Sequence, residues 1–249
     1  MAYKAEEYWE RRFGARFSLS AAGHQGFSEQ YNRYLYKLKE RSLKAALERY
    51  GINAEGRSVL DVGCGTGFFV GYYTRRRAIV TGIDITDISV RALSAKFPSC
   101  AFVRADISSP DIDLKEAFDI VNAFDVLYHI VDDNAFERAI GNIGKRCKQG
   151  GWILLTDALD PRKSISEHVR YRDLETYTAA LGRAGIDIVG LIPAFRLMGR
   201  GVSPAVKNEL VRKALGRAIE SFAWFSYIFD LAYCPIGSSL MKILVCRKR

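Results

Sequence analysis

Residues 58–69, SVLDVGCGTGFF, constrain this chain more than any other stretch. A short apolar run suited to a strand carries Asp61 near its end. Gly63, Gly65 and Gly67 then follow at alternate positions and lead straight into a helix-like segment. Glycines there permit a tight turn and let a ligand approach backbone amides at a helix N-terminus. In open α/β sheets ligands bind at the carboxyl ends of strands, where the strand order reverses. A glycine-rich loop also serves plain structural turns, so its weight comes from its place after the first strand-like run.

The rest of the chain supplies the sheet such a loop needs. Strand candidates are Ser58–Val62, Ile79–Ile83, Ala101–Arg104, Asp119–Ala123, Gly151–Thr156 and Ile186–Leu191, with a seventh at Leu240–Cys246. Helix-like segments near 67–77, 88–97, 133–148 and 173–184 alternate with them. This alternation predicts a doubly wound α/β fold, its mostly parallel sheet covered by helices on both faces. The strands read as nearly continuous apolar runs, as burial on both faces requires. Residues 1–57 stand apart: two helices around the turn AAGHQGFS, the second capped by Ser28 and striped by Tyr31, Leu35 and Leu38. The core is then 58–249, with a helical insertion at 195–237 holding an amphipathic helix near 204–219 and the aromatic run SFAWFSYIFDLAYCP.

Two further strand ends carry aspartate. Asp84 closes the second strand in TGIDIT, where a carboxylate can accept from both ribose hydroxyls of an adenosine-containing ligand. Asp106 follows the third strand in FVRADIS and suits an adenine amino group. Any one aspartate could simply cap a helix; three on consecutive strand ends are harder to explain that way.

With these motifs in place the chain resembles the class I S-adenosylmethionine-dependent methyltransferases, bacterial small-molecule type. LDVGCGTG, FDIVNAFDVLYHI (118–130) and KQGGWILLTD (148–157) carry the likeness over about 58–193 plus the last strand. It implies a seven-stranded Rossmann-like sheet with its last strand antiparallel, and S-adenosyl-L-methionine as cofactor. It further implies that Asp84 holds the ribose, that Asp106 and the Ile107 amide hold the adenine edge, and that Ile85 packs on the adenine face. Asp61, Gly63 and Phe124 would line the methionine portion, beside Gly65 and Gly67. EYWERRF (7–13) and QYNRYLYKLKER (30–41) are similar to the N-terminal helices of a subset of these enzymes. Such helices form a lid, so Tyr8, Trp9, Tyr31 and Arg33 are expected toward cofactor or acceptor, against the reading that their rings only pack.

Composition narrows the chemistry. Five scattered cysteines, none in CxxC, suit free thiols in a reducing compartment, and a cytoplasmic chain is expected. Three scattered histidines (24, 129, 168) suggest no metal site. His129, just past the fourth strand, is the candidate general base or acceptor-orienting group. NAFD stands where family enzymes acting on nucleic-acid base amino groups usually carry NPPY or DPPY, which makes nucleic acid an unlikely partner. The net charge of +9 sits in the flanks: 15 Lys/Arg against 8 Asp/Glu over residues 158–249, and a slight acidic excess over 58–157. That basic excess leaves open an anionic or lipid-linked acceptor and peripheral membrane contact, with Arg196, Arg200, Lys207 and Arg212 as a cationic rim. The expected acceptor is a small molecule bearing a hydroxyl: a sugar, glycolipid precursor or secondary metabolite. Alternatives are an RNA or protein methyltransferase and a non-catalytic binder of the same cofactor.

Overall fold

The computed structural model describes residues 3–112, 114, 116–163, 166–199, 207–233 and 241–249. Arg200 and parts of the expected 195–237 insertion lie outside the described residues. Seven strands form one sheet: β1 (Ser58–Val62), β2 (Ile79–Asp84), β3 (Ala101–Arg104), β4 (Phe118–Ala123), β5 (Cys147–Asp157), β6 (Ile186–Phe195) and β7 (Met241–Lys248). Their order is β3-β2-β1-β4-β5-β7-β6. The first five run parallel, and β7 inserts antiparallel between β5 and β6, as the resemblance implies. The order reverses between β1 and β4, so the carboxyl ends of those strands and β2 frame the switch-point crevice.

Both faces are covered. On one, helices α6 (Asp133–Arg146) and α7 (Leu174–Arg183) bury Phe136, Ala139, Ile140, Ile143, Tyr177 and Leu181 against β1, β4 and β5. Each begins on an aspartate cap: Asp132 accepts from the Ala135 amide and Asp173 from that of Thr176. On the other face lie α3 (Glu29–Arg49) and α4 (Phe68–Thr74), burying Tyr36, Leu43, Leu47, Phe69, Val70 and Tyr73. Between β2 and β3 runs α5 (Asp87–Lys96), capped by Thr86.

Residues 1–57 hold three helices where the sequence suggests two. After α1 (Ala5–Ala15) the chain straightens, makes the four-residue α2 (Leu19–Ala22) under a Ser18 cap, and enters α3 from Ser28, whose hydroxyl accepts from the Tyr31 amide. The insertion before β7 contains α8 (Glu209–Ser221) and α9 (Ala223–Tyr233). α8 starts later than 204 because Asn208 caps it, its Oδ1 accepting from the Leu210 and Val211 amides. α9 packs on α3, with Tyr227 stacked on Tyr34 at 4.7 Å and the buried Asp230 carboxylate accepting from the amides of Arg196, Leu197 and Met198. No described helix is long and apolar enough to cross a membrane.

Candidate active site

A cavity of about 260 Å³ opens at the carboxyl ends of β1, β2 and β4. Its floor is the glycine loop, held by Asp84 from the next strand: Oδ2 accepts from the Gly65 amide at 2.8 Å, and Oδ1 from the Thr86 amide and hydroxyl at 2.9 and 2.7 Å. Burial raises the Asp84 pKa above the usual carboxylate value in spite of those donors. Two glycines are dictated by geometry. At Gly67 (φ 78°) a Cβ would sit 2.6 Å from Leu93 and 2.9 Å from Phe97, so helix α4 could not start this close to α5. Gly65 (φ 50°) also needs left-handed backbone, and its nearest neighbours, the Phe13 ring and the Gly63 carbonyl, are 3.8 Å from a built Cβ. That leaves a cradle where a ligand can reach the loop.

Of the residues singled out from sequence, Gly63, Gly65, Asp84, Ile85, Asp106, Ile107, Phe124 and His129 line this cavity. Asp106 is exposed at its edge, its Oδ1 accepting from the Ser108 amide and hydroxyl. Asp61 lies beneath the loop at 2% exposure, where Asn122 Nδ2 donates to it at 2.6 Å and burial pushes its pKa up to about 7. Gly67 shapes the loop from behind. Tyr31 and Arg33 are not part of the lining. Tyr31 is buried on the α9 side of α3, stacked on Phe27 and accepting from the Gly199 amide, and Arg33 is exposed to solvent. The residue of α3 that lines the cavity is Tyr36, and Lys39 lies behind the lining, against Asp125.

Lys39 and Asp125 form an ion pair with side-chain exposures of only 4% and 11%. Asp125 lines the cavity in a left-handed conformation (φ 62°), fixed by its amide donating to Thr156 Oγ1 at 2.8 Å. The sequence gives little sign of this pair, since Lys39 stands in the charged string KLKER. Trp9 and Phe13 of α1, with Phe68, Phe69 and Tyr36, complete aromatic walls.

His129 closes a single 3₁₀ turn, Leu127–His129, that leaves β4 after Asp125. Segment 166–172 straps this turn: the Arg170 amide donates to the Tyr128 carbonyl at 2.7 Å and Arg172 to that of Ile130 at 2.9 Å. His129 Nδ1 lies 2.7 Å from the His168 carbonyl, which can only accept, so Nδ1 carries the proton and Nε2 the lone pair. Burial pushes the His129 pKa down to about 4, and the Trp9 ring meets the imidazole edge-on at 4.9 Å. The imidazole is therefore neutral, a state competent to take a proton. Tyr8 and Arg12 act from behind: Arg12 donates to Tyr8 Oη at 3.0 Å, and Tyr8 Oη lies 3.2 Å from His168 Nε2.

Four carboxylates (Asp84, Asp106, Asp125 and Asp132) line the cavity, and no lysine or arginine does so among the described residues. Arg196, Lys207 and Arg212 are likewise absent from its lining.

A doubly wound sheet with a glycine loop and acidic strand ends around its switch point defines a Rossmann-like α/β protein whose ligand is held at the strand termini. The class narrows with comparison: residues 31–190 match the family described as methyltransferase domain, and the chain belongs to that family. Among curated relatives, a ubiquinone biosynthesis O-methyltransferase of Albidiferax ferrireducens is 31% identical over 106 residues, covering 41% of each chain. One from Rhodopseudomonas palustris is 39% identical over 84 residues, 33% of each chain. The chain thus spans well under half the length of these relatives. A magnesium protoporphyrin IX methyltransferase from Synechocystis PCC 6803, solved with bound SAM, shares the fold with TM-score 0.63 at 17% identity, covering 98% of this chain and 95% of that one.

Proposed function

We propose that the chain is an S-adenosylmethionine-dependent methyltransferase acting on a hydroxyl oxygen of a small, largely apolar molecule. The charge of the cavity carries this reading. Lys39 offsets Asp125, but Asp84, Asp106 and Asp132 make no ion pair among the described residues, so these carboxylates and the aromatic walls favour a positively charged ligand, and a sulfonium placed among them gains from both. A dinucleotide pyrophosphate or a polyanionic nucleic acid would meet repulsion at the same place. The residues present fit the cofactor: the open cradle at Gly65 suits close approach of a ligand, and Asp84 keeps lone pairs beyond those used by Gly65 and Thr86.

In this reading Asp84 holds the ribose hydroxyls, Asp106 and the Ile107 amide hold the adenine edge, and Ile85 packs on the ring. Gly63, Gly65 and Phe124 line the amino-acid portion. Asp61 supports that portion from below through Asn122. The cofactor supplies an activated methyl carbon, so the protein's tasks are to bind, orient and exclude water. Residues 1–57 act as the lid, with Trp9 and Phe13 closing the cavity. His129 Nε2 would take the proton of the acceptor hydroxyl as its oxygen displaces the sulfonium sulfur from the methyl carbon, the carbon–sulfur bond breaking to leave a neutral thioether. Curated relatives named as O-methyltransferases support oxygen as the acceptor atom.

The test is S-adenosylhomocysteine release over a panel of phenols, hydroxylated quinones and sugars, with RNA as comparison. Turnover on a hydroxylated small molecule, insensitive to salt, is expected. Turnover only on RNA, falling steeply with salt, would replace this reading with the nucleic-acid one. Tight S-adenosylhomocysteine binding with no turnover on any acceptor would favour the non-catalytic binder.

A further inference from the structure

Among the described residues, exposed large apolar side chains concentrate on α8, α9 and the residue that joins them: Leu210, Val211 and Leu215, then Phe222, Trp224, Phe225 and Ile228. α8 buries none of its residues. At 3.6 residues per turn, Leu210, Val211, Ala214, Leu215, Ala218 and Phe222 share one face, with Arg212 and Arg217 on its two borders. α9 is held firmly from within by Ala223, Tyr227 and Asp230, yet it turns Trp224 and Phe225 outward at 60% and 58% exposure. A patch of this kind marks an interaction surface.

Charge says what covers it. Along α3, the helix on which α9 packs, Arg33, Lys37 and Arg41 recur at four-residue spacing and are exposed. Tyr34 and Arg41 both contact α9, so this cationic row runs along its flank. Arg33, Lys37 and Arg217 make no ion pair among the described residues. Pairing of this face with a second copy by a two-fold axis would bring those cations near one another. Trp and Phe within a basic border suit an interface with anionic headgroups, where rings enter the acyl boundary and Lys/Arg meet phosphate.

We infer that α8 and α9, with the Arg33–Lys37–Arg41 row, dock this protein on the surface of an anionic phospholipid bilayer. The patch lies on the far side of α3 from the catalytic cavity, so the inference stands apart from the methyl-transfer reading.

Co-sedimentation of the full chain with vesicles of phosphatidylcholine, alone or mixed with phosphatidylglycerol, tests it. Binding to the mixed vesicles is expected, with little to phosphatidylcholine alone. The triple variant Phe222→Ser/Trp224→Ser/Phe225→Ser should bind at least about tenfold more weakly. Arg33→Gln/Lys37→Gln should lose roughly 25-fold, about fivefold for each cation removed. All five side chains are exposed, so melting temperatures should match the parent and separate docking from folding. No binding to either vesicle, unchanged binding by the aromatic variant, or equal binding to neutral vesicles would overturn the proposal. So would a dimer in solution that the aromatic variant dissociates, because the patch would then belong to a second copy.

Discussion

Replacing Lys39 by Met removes one charge from a pair that is almost entirely out of water. Met keeps the length and apolar stem of lysine, and the ammonium leaves its place 4.9 Å from the Tyr36 ring centre. Asp125 is then a buried carboxylate left with neutral hydroxyl partners, that of Thr156 at 3.3 Å from Oδ1 and that of Tyr128. Breaking a buried pair from one side costs about 3–5 kcal/mol, because the remaining charge keeps its desolvation penalty without its partner. Against a total stability of roughly 5–15 kcal/mol this is a large loss. For a chain of this size it corresponds to a fall in Tm of roughly 6–20 °C. Lys39→Met/Asp125→Asn removes both charges and should recover much of the loss, giving a clear coupling in the double-mutant cycle. Urea denaturation of the four proteins measures it. A loss below about 1 kcal/mol for Lys39→Met would refute the reasoning, placing the pair with the weak surface ion pairs.

His129→Ala should lower turnover by roughly 10²–10⁴-fold on the true acceptor with cofactor affinity almost intact, and near-normal turnover would reassign the histidine to structure. The parent pH–rate profile should rise through about pH 4 and lie flat above it, since burial suppresses the imidazolium. Stability carries the same sign: between its ordinary pKa of 6.5 and about 4 the unfolded chain binds a proton here that the folded chain does not. The His129 contribution therefore falls with falling pH across that window, by about 1.4 kcal/mol per unit, and subtracting the curve of His129→Gln isolates it. Gly67→Ala should destabilise by about 1–3 kcal/mol, from left-handed strain plus a clash with Leu93 and Phe97, and thermal melting at wild-type values would show that the loop relaxes freely.

Sequence was most informative where structure is local. SVLDVGCGTGFF reads directly as strand, turn and helix because the glycines carry backbone requirements no other residue meets, and Asp84 is legible from its place on the second strand. Information thinned where a neighbour decides. The stripe Tyr31, Leu35 and Leu38 shows that α3 buries a face, but α3 is buried on two sides; that stripe faces the α9 cluster, while Tyr36 lines the cavity and Lys39 pairs with the cavity residue Asp125. Aromatic and charged residues on such a helix carry no label for which side they serve, so Tyr31 and Arg33 stand outside a site that the same helix lines. β5 begins at Cys147, not Gly151, because an irregularity between Phe118 and Ile120 lets the chain pair early with β4. That register depends on a partner strand distant in sequence. The aromatic run SFAWFSYIFDLAYCP reads from sequence as an apolar insertion without saying which rings are covered; in the structure α9 packs Tyr227 on α3 and leaves Trp224 and Phe225 bare.

Calorimetric titration of S-adenosylhomocysteine into the parent and into Asp84→Asn is the most direct measurement on the site. Asn keeps one oxygen to accept from the loop but loses the charge and the second acceptor. Parent binding is expected to be tight and the variant weaker by about 1.5–3 kcal/mol, or roughly 10–150-fold. No binding to the parent, or equal affinity in both proteins, would contradict the placement of the cofactor's ribose at the end of β2.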